Sequence, residues 1–135
     1  MKRYFAILSA LMLFVLFNTS CTEKESEKSV VGKIYTYSGE AFSKLESDYA
    51  FTITINDDGT YSYYESLFSS YIGTGEWSVT DDVLTLSDDT GIEIINYFLI
   101  DGDDLVFIEE NSTNFIYVKV KDGERFHGTA VSDDK

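Results

Sequence analysis

The stretch Phe51-Thr52-Ile53-Thr54-Ile55-Asn56-Asp57-Asp58-Gly59-Thr60-Tyr61-Ser62-Tyr63-Tyr64-Glu65 decides the fold. Phe51, Ile53 and Ile55 alternate with Thr52 and Thr54, the two-residue period of a strand with one apolar face. Asn56 to Gly59 supplies turn chemistry, with a glycine for the positive φ that a tight hairpin needs. Thr60 to Glu65 then returns with Tyr61 and Tyr63 on one face and Tyr64 on the other. The stretch reads as a β-hairpin built from β-branched and aromatic residues.

The same grammar extends in both directions. Val30 to Tyr37 is a candidate first strand, and Trp77 and Val79 alternate with Glu76, Ser78 and Thr80. After Asp81-Asp82, Leu84 and Leu86 alternate with Thr85 and Ser87, and Asp88 to Gly91 forms the next turn. Ile92 to Ile100, Leu105 to Glu109 and Phe115 to Lys121 complete the set, separated by Asp101-Gly102-Asp103-Asp104 and by Asn111 to Asn114. About eight strands at ~8–12-residue spacing indicate an all-β barrel or sandwich. Short polar turns favour sequential antiparallel pairing, so the expected fold is a meander closing into a small barrel, with a β-sandwich as the alternative. Gly39 to Asp48 suits a short helix or a lid-like loop after the first strand. Ile92 to Ile100 is apolar on both faces, which suits a strand covered by a lid, a ligand or a second subunit.

Asp57-Asp58-Gly59-Thr60-Tyr61, then Gly73-Thr74-Gly75-Glu76-Trp77-Ser78-Val79, then Leu84-Thr85-Leu86 resemble bacterial lipocalin-like lipoprotein domains. Those domains carry an Asp-Gly-Thr-aromatic hairpin, a Gly-x-Trp entering a strand, and a Leu-x-Leu strand. The resemblance covers roughly residues 31 to 120, and its motifs are short. It departs at Gly32-Lys33-Ile34, where Ile34 occupies the place of a first-strand tryptophan. What it implies is a small barrel that holds an apolar or amphipathic ligand, a shape more than an activity.

The N-terminus points to a compartment. Lys2 and Arg3 precede an apolar run from Tyr4 to Phe17, shorter than the ~20 residues of a spanning helix and typical of a secretory signal. Asn18-Thr19-Ser20 then leads to Cys21, the single cysteine. Small residues before that cysteine resemble a lipobox, with Asn18 where leucine is usual; boxes ending in Ser-Cys are similar to those of Bacteroidetes-type lipoproteins. The resemblance implies acylation of Cys21 and a lipid bilayer as first partner, each buried methylene contributing about 0.8 kcal/mol. The expected organisation is a signal peptide over 1–20, a flexible tether over 21–29, a lipocalin-like barrel over 30–123 and a polar tail over 124–135. The expected location is the bacterial cell envelope, lipid-anchored at the outer membrane, with either the periplasmic or the surface face open.

Composition narrows the function. The formal net charge is −14, and loss of the two cations Lys2 and Arg3 with the signal takes it to −16. An acidic surface with so few cations argues against nucleic acid, whose phosphates require clustered Lys and Arg. A single thiol excludes disulfides within the chain and a Cys-ligated metal site. No cofactor is expected. Lys119 and Lys121 share one face of their strand, as on a solvated edge.

Tyrosine density is the one hint of a binding site. Tyr35, Tyr61, Tyr63, Trp77 and Tyr97 are the candidate ligand residues, each combining an apolar body with a polar tip. Catalytic groups are sparse: His127 is the sole histidine and falls in the polar tail, and no spacing singles out a carboxylate pair, Glu65 with Glu76 included. Asp57-Asp58-Gly59 and Asp101 to Asp104 lack the full spacing of a calcium loop and fit hairpin turns. The chain therefore reads as a non-catalytic binding module for a small apolar or amphipathic ligand, with a protein-interaction or inhibitor module using its acidic surface as the alternative.

Overall fold

The computed structural model describes residues 19–37, 39, 51–65, 70–88 and 93–131. Among the described residues one helix, α1 (Thr19–Val30), precedes eight strands: β1 (Lys33–Tyr37), β2 (Thr52–Ile55), β3 (Thr60–Tyr64), β4 (Ile72–Thr80), β5 (Val83–Asp88), β6 (Ile95–Asp101), β7 (Asp104–Ile108) and β8 (Arg125–Ala130). Each strand pairs antiparallel with the next, and β8 returns to β1, closing the barrel. The barrel, and not the sandwich, is the architecture. The expected hairpin is present, with Ile53 opposite Tyr63 and Ile55 opposite Tyr61. Gly59 adopts φ 86° in its turn, and Asp58 accepts hydrogen bonds from the Thr60 amide at 2.9 Å and the Thr60 hydroxyl at 2.6 Å.

The interior is filled by the chain's own side chains. Phe51, Phe98 and Phe126 are fully buried and pack edge to face, with Phe51–Phe126 centroids 5.1 Å apart and Phe98–Phe126 5.4 Å. Phe115 closes on Phe51 at 4.7 Å and on Tyr63 at 5.3 Å. Such geometries let the ring edges meet ring faces, and burial of each large ring stabilises the core by roughly 1.5–3 kcal/mol.

Tyrosine and glycine meet across the ladders. Tyr63 pairs with Gly73, Tyr61 with Gly75 and Tyr35 with Gly128. A Cβ at Gly128 would stand 2.8 Å from the Tyr35 ring and 2.1 Å from the Asp103 carbonyl oxygen; one at Gly75 would stand 2.9 Å from Tyr61 and 2.0 Å from the Ser87 carbonyl. At those two positions the neighbouring carbonyl and the tyrosine ring together leave no room for a side chain, whereas at Gly73 the Tyr63 ring alone, 1.9 Å from where a Cβ would stand, occupies the space.

Three features differ from the sequence expectation. Residues 21–29, read as a flexible tether, belong to α1. Its C-terminal end seats in the barrel: Val30 is fully buried, the Tyr35 hydroxyl reaches the Val30 carbonyl at 3.4 Å, and the Ser26 hydroxyl bonds Asp82. The eighth strand is Arg125–Ala130, not Phe115–Lys121, so residues 125–130 are wall and not tail. Only Phe126 and Gly128 of that strand point inward, and because one of the two is glycine the alternation is nearly silent in the sequence. Residues 118–121 do alternate in burial, with Val118 and Val120 inside, and Phe115 is buried three residues earlier, yet the segment runs as a plug across the barrel end away from α1. Gly39 is described, but the rest of the expected helix or lid over 40–48 lies outside the described residues.

Glu65 explains the plug. This carboxylate, 1 % exposed, accepts three backbone hydrogen bonds, from the Ile116 amide at 3.0 Å, Tyr117 at 2.6 Å and Val118 at 2.8 Å. Amides that a neighbouring strand would have paired are thus taken by a side chain, and the segment cannot extend the sheet. Glu124 adds a second tie, accepting from the Tyr37 hydroxyl at 2.6 Å and the Lys121 amide at 2.7 Å.

Candidate functional site

The five residues expected to bind ligand do not converge. Tyr35, Tyr61 and Tyr63 are 1–2 % exposed and belong to the packed core. Trp77 lies toward the α1 end, half-buried, with its indole Nε1 donating to the Asn56 carbonyl at 2.9 Å. Tyr97 points out of the barrel, since its neighbours Asn96 and Phe98 are the inward pair of β6. Burial pushes the phenols of Tyr35, Tyr37 and Tyr63 well above their ordinary ionisation range, helped by Asp103 and Asp104 at Tyr35, by Glu124 at Tyr37, and by Tyr71 and Glu65 at Tyr63. Those three rings are neutral packing elements at any moderate pH. The Asn96 amide nitrogen donates to the Thr113 carbonyl.

Tyr97 instead marks a second apolar surface, on the outside. The ladders set Leu99 between Val83 of β5 and Val106 of β7, and Tyr97 beside Ile108. Ile95 continues the row on β6. These outward residues form a contiguous apolar face across β5, β6 and β7, of which Leu99 is 44 % exposed. This is the strand read as apolar on both faces, and its outer side is where the second set lies.

Toward the far end the face deepens into an open groove of about 610 Å³ lined by Leu99, Val106, Ile108, Glu109, Glu110 and Asp122, with Phe107 and Gly123 behind. The volume lies in the ~300–1,000 Å³ range in which proteins take small molecules or several side chains. Its acidic wall is held by its own backbone: the Glu109 amide donates to Asp122 Oδ1 at 3.0 Å, and the Asp122 amide to Glu109 Oε2 at 3.4 Å. The Gly123 amide donates to the Phe107 carbonyl at 2.9 Å.

The opposite border is an ion-pair cluster. Arg125 bonds Asp101 at 2.6 Å and Asp104 at 3.3 Å, and His127 Nδ1 lies 3.1 Å from Asp104 Oδ1. Burial tends to raise the Asp104 carboxyl, but His127 and Arg125 outweigh it and hold Asp104 below the usual carboxylate range. Lys33 pairs with Asp103 at 2.8 Å. His127, expected in a polar tail, therefore sits on β8 as an exposed partner of Asp104.

The other candidates resolve into structure. Glu65 holds the plug while Glu76 is exposed on β4, so the two carboxylates play unrelated parts. Asp57-Asp58-Gly59 and Asp101 to Asp104 are turns, and among the described residues no group of three or more His, Cys, Asp or Glu is placed to hold a metal ion. Cys21 lies in α1. Among the described residues no helix is long and apolar enough to cross a membrane. Nothing in the sequence singles out the groove residues Leu99, Val106, Ile108, Glu109, Glu110 and Asp122 as a set; the two-sided apolarity of Ile92 to Ile100 is the one signal that points toward them.

Comparison with known proteins yields no family model, no curated relative and no solved structure that matches the chain.

Proposed function

We propose that this protein is a non-catalytic interaction module of the bacterial cell envelope, lipid-anchored through Cys21 at the outer membrane, that binds a protein partner by the outer face of β5, β6 and β7. One observation carries the reading: Leu99, Val83 and Val106 stand in one outward row with Tyr97 and Ile108 in the next, leaving contiguous apolar surface on the outside of an acidic chain. Contiguous exposed apolar surface of this kind is characteristic of contact sites. The ring-packed interior supports an outside site over a ligand held within, because Phe51, Phe98, Phe115 and Phe126 occupy the space a lipocalin-like ligand would need. The wall is then a rigid scaffold, and binding is a property of its surface.

The helix bears on the anchor. Cys21 to Val30, kept helical at 1.5 Å per residue, spans about 15 Å. An acylated Cys21 would thus hold the α1 end of the barrel close to the bilayer and direct the groove end away from it.

Two measurements test the proposal. Cys21→Ser is expected to abolish incorporation of labelled palmitate and to release the protein from the membrane fraction; unchanged fractionation removes the anchor. A photo-reactive phenylalanine at position 99 is expected to cross-link a partner in intact cells, while the same group at Thr54, on the outer face of β2, does not. Equal labelling at the two positions overturns the assigned face.

A further inference from the structure

We infer that the groove over Leu99, Val106 and Ile108 receives a cationic amphipathic segment of a partner protein, apolar side chains seated on that floor and Lys or Arg on Glu109, Glu110 and Asp122. This inference rests on the contact face proposed above and names the chemistry of what binds there.

The argument is one of charge complementarity around an apolar floor. Carboxylates stand at both ends of the floor, Asp101 and Asp104 at one and Glu109, Glu110 and Asp122 at the other. Arg125 lies among them but is already committed to Asp101 and Asp104. The neighbouring Lys121 is one cation beside Asp122. The local field is therefore negative, within a chain whose net charge is −14. Opposing potentials steer encounter and set specificity, and like potentials exclude wrong partners. A second copy of this chain would bring acidic borders against acidic borders, so self-pairing by this face is disfavoured. An anionic membrane surface is disfavoured for the same reason.

The groove is also ready to bind. Glu109 and Asp122 are each fixed by the other's backbone amide, and Gly123 is tied to Phe107. The adjoining segment is pinned by Glu124 through the Tyr37 hydroxyl and the Lys121 amide. Carboxylates oriented before binding lose little freedom when a guanidinium or ammonium arrives. The barrel has no open edge for strand addition, so contact by side chains in the groove is the mode left to this face.

The probe is a dye-labelled octapeptide with four alternating leucines and valines between lysine pairs, beside a counterpart with glutamate pairs, titrated by anisotropy against the full chain. The lysine peptide is expected to bind at least tenfold more tightly than the glutamate peptide, and to weaken at least tenfold between 50 and 500 mM salt. Leu99→Ser is expected to weaken it about tenfold, and joint substitution of Glu109→Gln, Glu110→Gln and Asp122→Asn by a similar factor, whereas Thr54→Ser leaves it unchanged. Both variant chains should keep the wild-type Tm within a few degrees, because they alter exposed side chains.

Binding that ignores Leu99→Ser is adhesion to net charge and overturns the inference. Equal or tighter binding of the glutamate peptide overturns the cationic partner while leaving the contact face standing, provided position 99 still cross-links. Concentration-dependent dimers abolished by Leu99→Ser would make a second copy the occupant and overturn it equally. Silence in both peptide binding and cross-linking removes the contact face itself.

Discussion

The outward faces of β2, β3 and β4 carry mainly Thr52, Thr54, Thr60, Ser62, Thr74, Ser78 and Thr80, with Glu76 among them and Tyr64 and Ile72 paired at the end away from α1, while those of β5, β6 and β7 carry Val83, Ile95, Tyr97, Leu99, Val106 and Ile108 beside Thr85 and Ser87. Both sets satisfy the preference of a pleated surface for β-branched or aromatic side chains. Threonine does so while keeping a hydroxyl in water; valine, isoleucine and leucine do so at the cost of exposed hydrocarbon. Behind both walls lies one continuous core, since Phe51, the residue before β2, and Phe98 of β6 each pack against Phe126 of β8. The difference between the two walls therefore cannot come from folding requirements, which they share, and belongs to what touches them from outside.

The sharpest way to break this comparison uses adjacent residues of one strand. Phe98 is 0 % exposed and its neighbour Leu99 is 44 % exposed. Phe98→Ala is expected to cost about 3–5 kcal/mol, through lost burial and an unfilled cavity. Leu99→Ala should cost under about 1 kcal/mol, as exposed positions do. Urea denaturation of the two variants measures both values. A loss above about 2 kcal/mol at Leu99 would make the outer face a structural surface and withdraw it as a contact site.

The plug at the far end gives a smaller effect. Glu65→Gln keeps the shape of the side chain but removes the charge that three amides share, and its amide group can accept at one oxygen only. The expected destabilisation is about 1.5–3 kcal/mol, the worth of hydrogen bonds to a charged group. Hydrogen exchange should accelerate first at the Ile116, Tyr117 and Val118 amides. If those amides stay protected, another group holds the segment.

How far the sequence revealed this molecule depends on what each strand shows in its own residues. Phe51 to Glu65 shows its period, its turn and its glycine in consecutive residues, and its hairpin forms as read. β8 does not, because Gly128 takes an inward position whose volume is supplied by Tyr35 on a strand some ninety residues earlier. A rule based on hydrophobic alternation cannot detect a core residue that lives on the partner strand. The opposite error arises at Phe115 to Lys121, where Val118 and Val120 do alternate with Lys119 and Lys121 but Glu65 takes the amides of Ile116, Tyr117 and Val118 that a ladder would need. The candidate site is half legible: the sequence offers Tyr97 as a binding residue and shows the double-sided apolarity of β6, yet only the register places Tyr97 outside, beside Ile108 and away from Tyr61 and Tyr63. Tyrosines look alike in sequence; the pleat decides which face each serves.

The smallest expected effect separates the two halves electrostatically. Asp58, in the β2–β3 turn, and Asp104, at the border of the apolar face, both hold their carboxyls below the ordinary aspartate value of 3.8. The causes differ: Asp58 is lowered by the Thr60 hydroxyl and amide, whereas Asp104, despite burial that works the other way, is lowered by His127 and Arg125. A carboxyl depressed in the folded state contributes stability that is present above its unfolded value, and that stability is lost as pH falls through the lower, folded value. Carboxyl NMR titration should therefore find both residues still ionised just below pH 3.8. Raising salt to 1 M, where the screening length falls to about 3 Å, should move Asp104 upward toward the ordinary value and leave Asp58 where it is, because neutral donors are not screened. Thr60→Val, by contrast, should raise Asp58 alone, and only in part, because the amide of residue 60 still donates to it. If salt moved both carboxyls together, the acidity of the two halves would share one long-range cause, and the local field assigned to the groove border would have to be reassigned to the net charge of the whole chain.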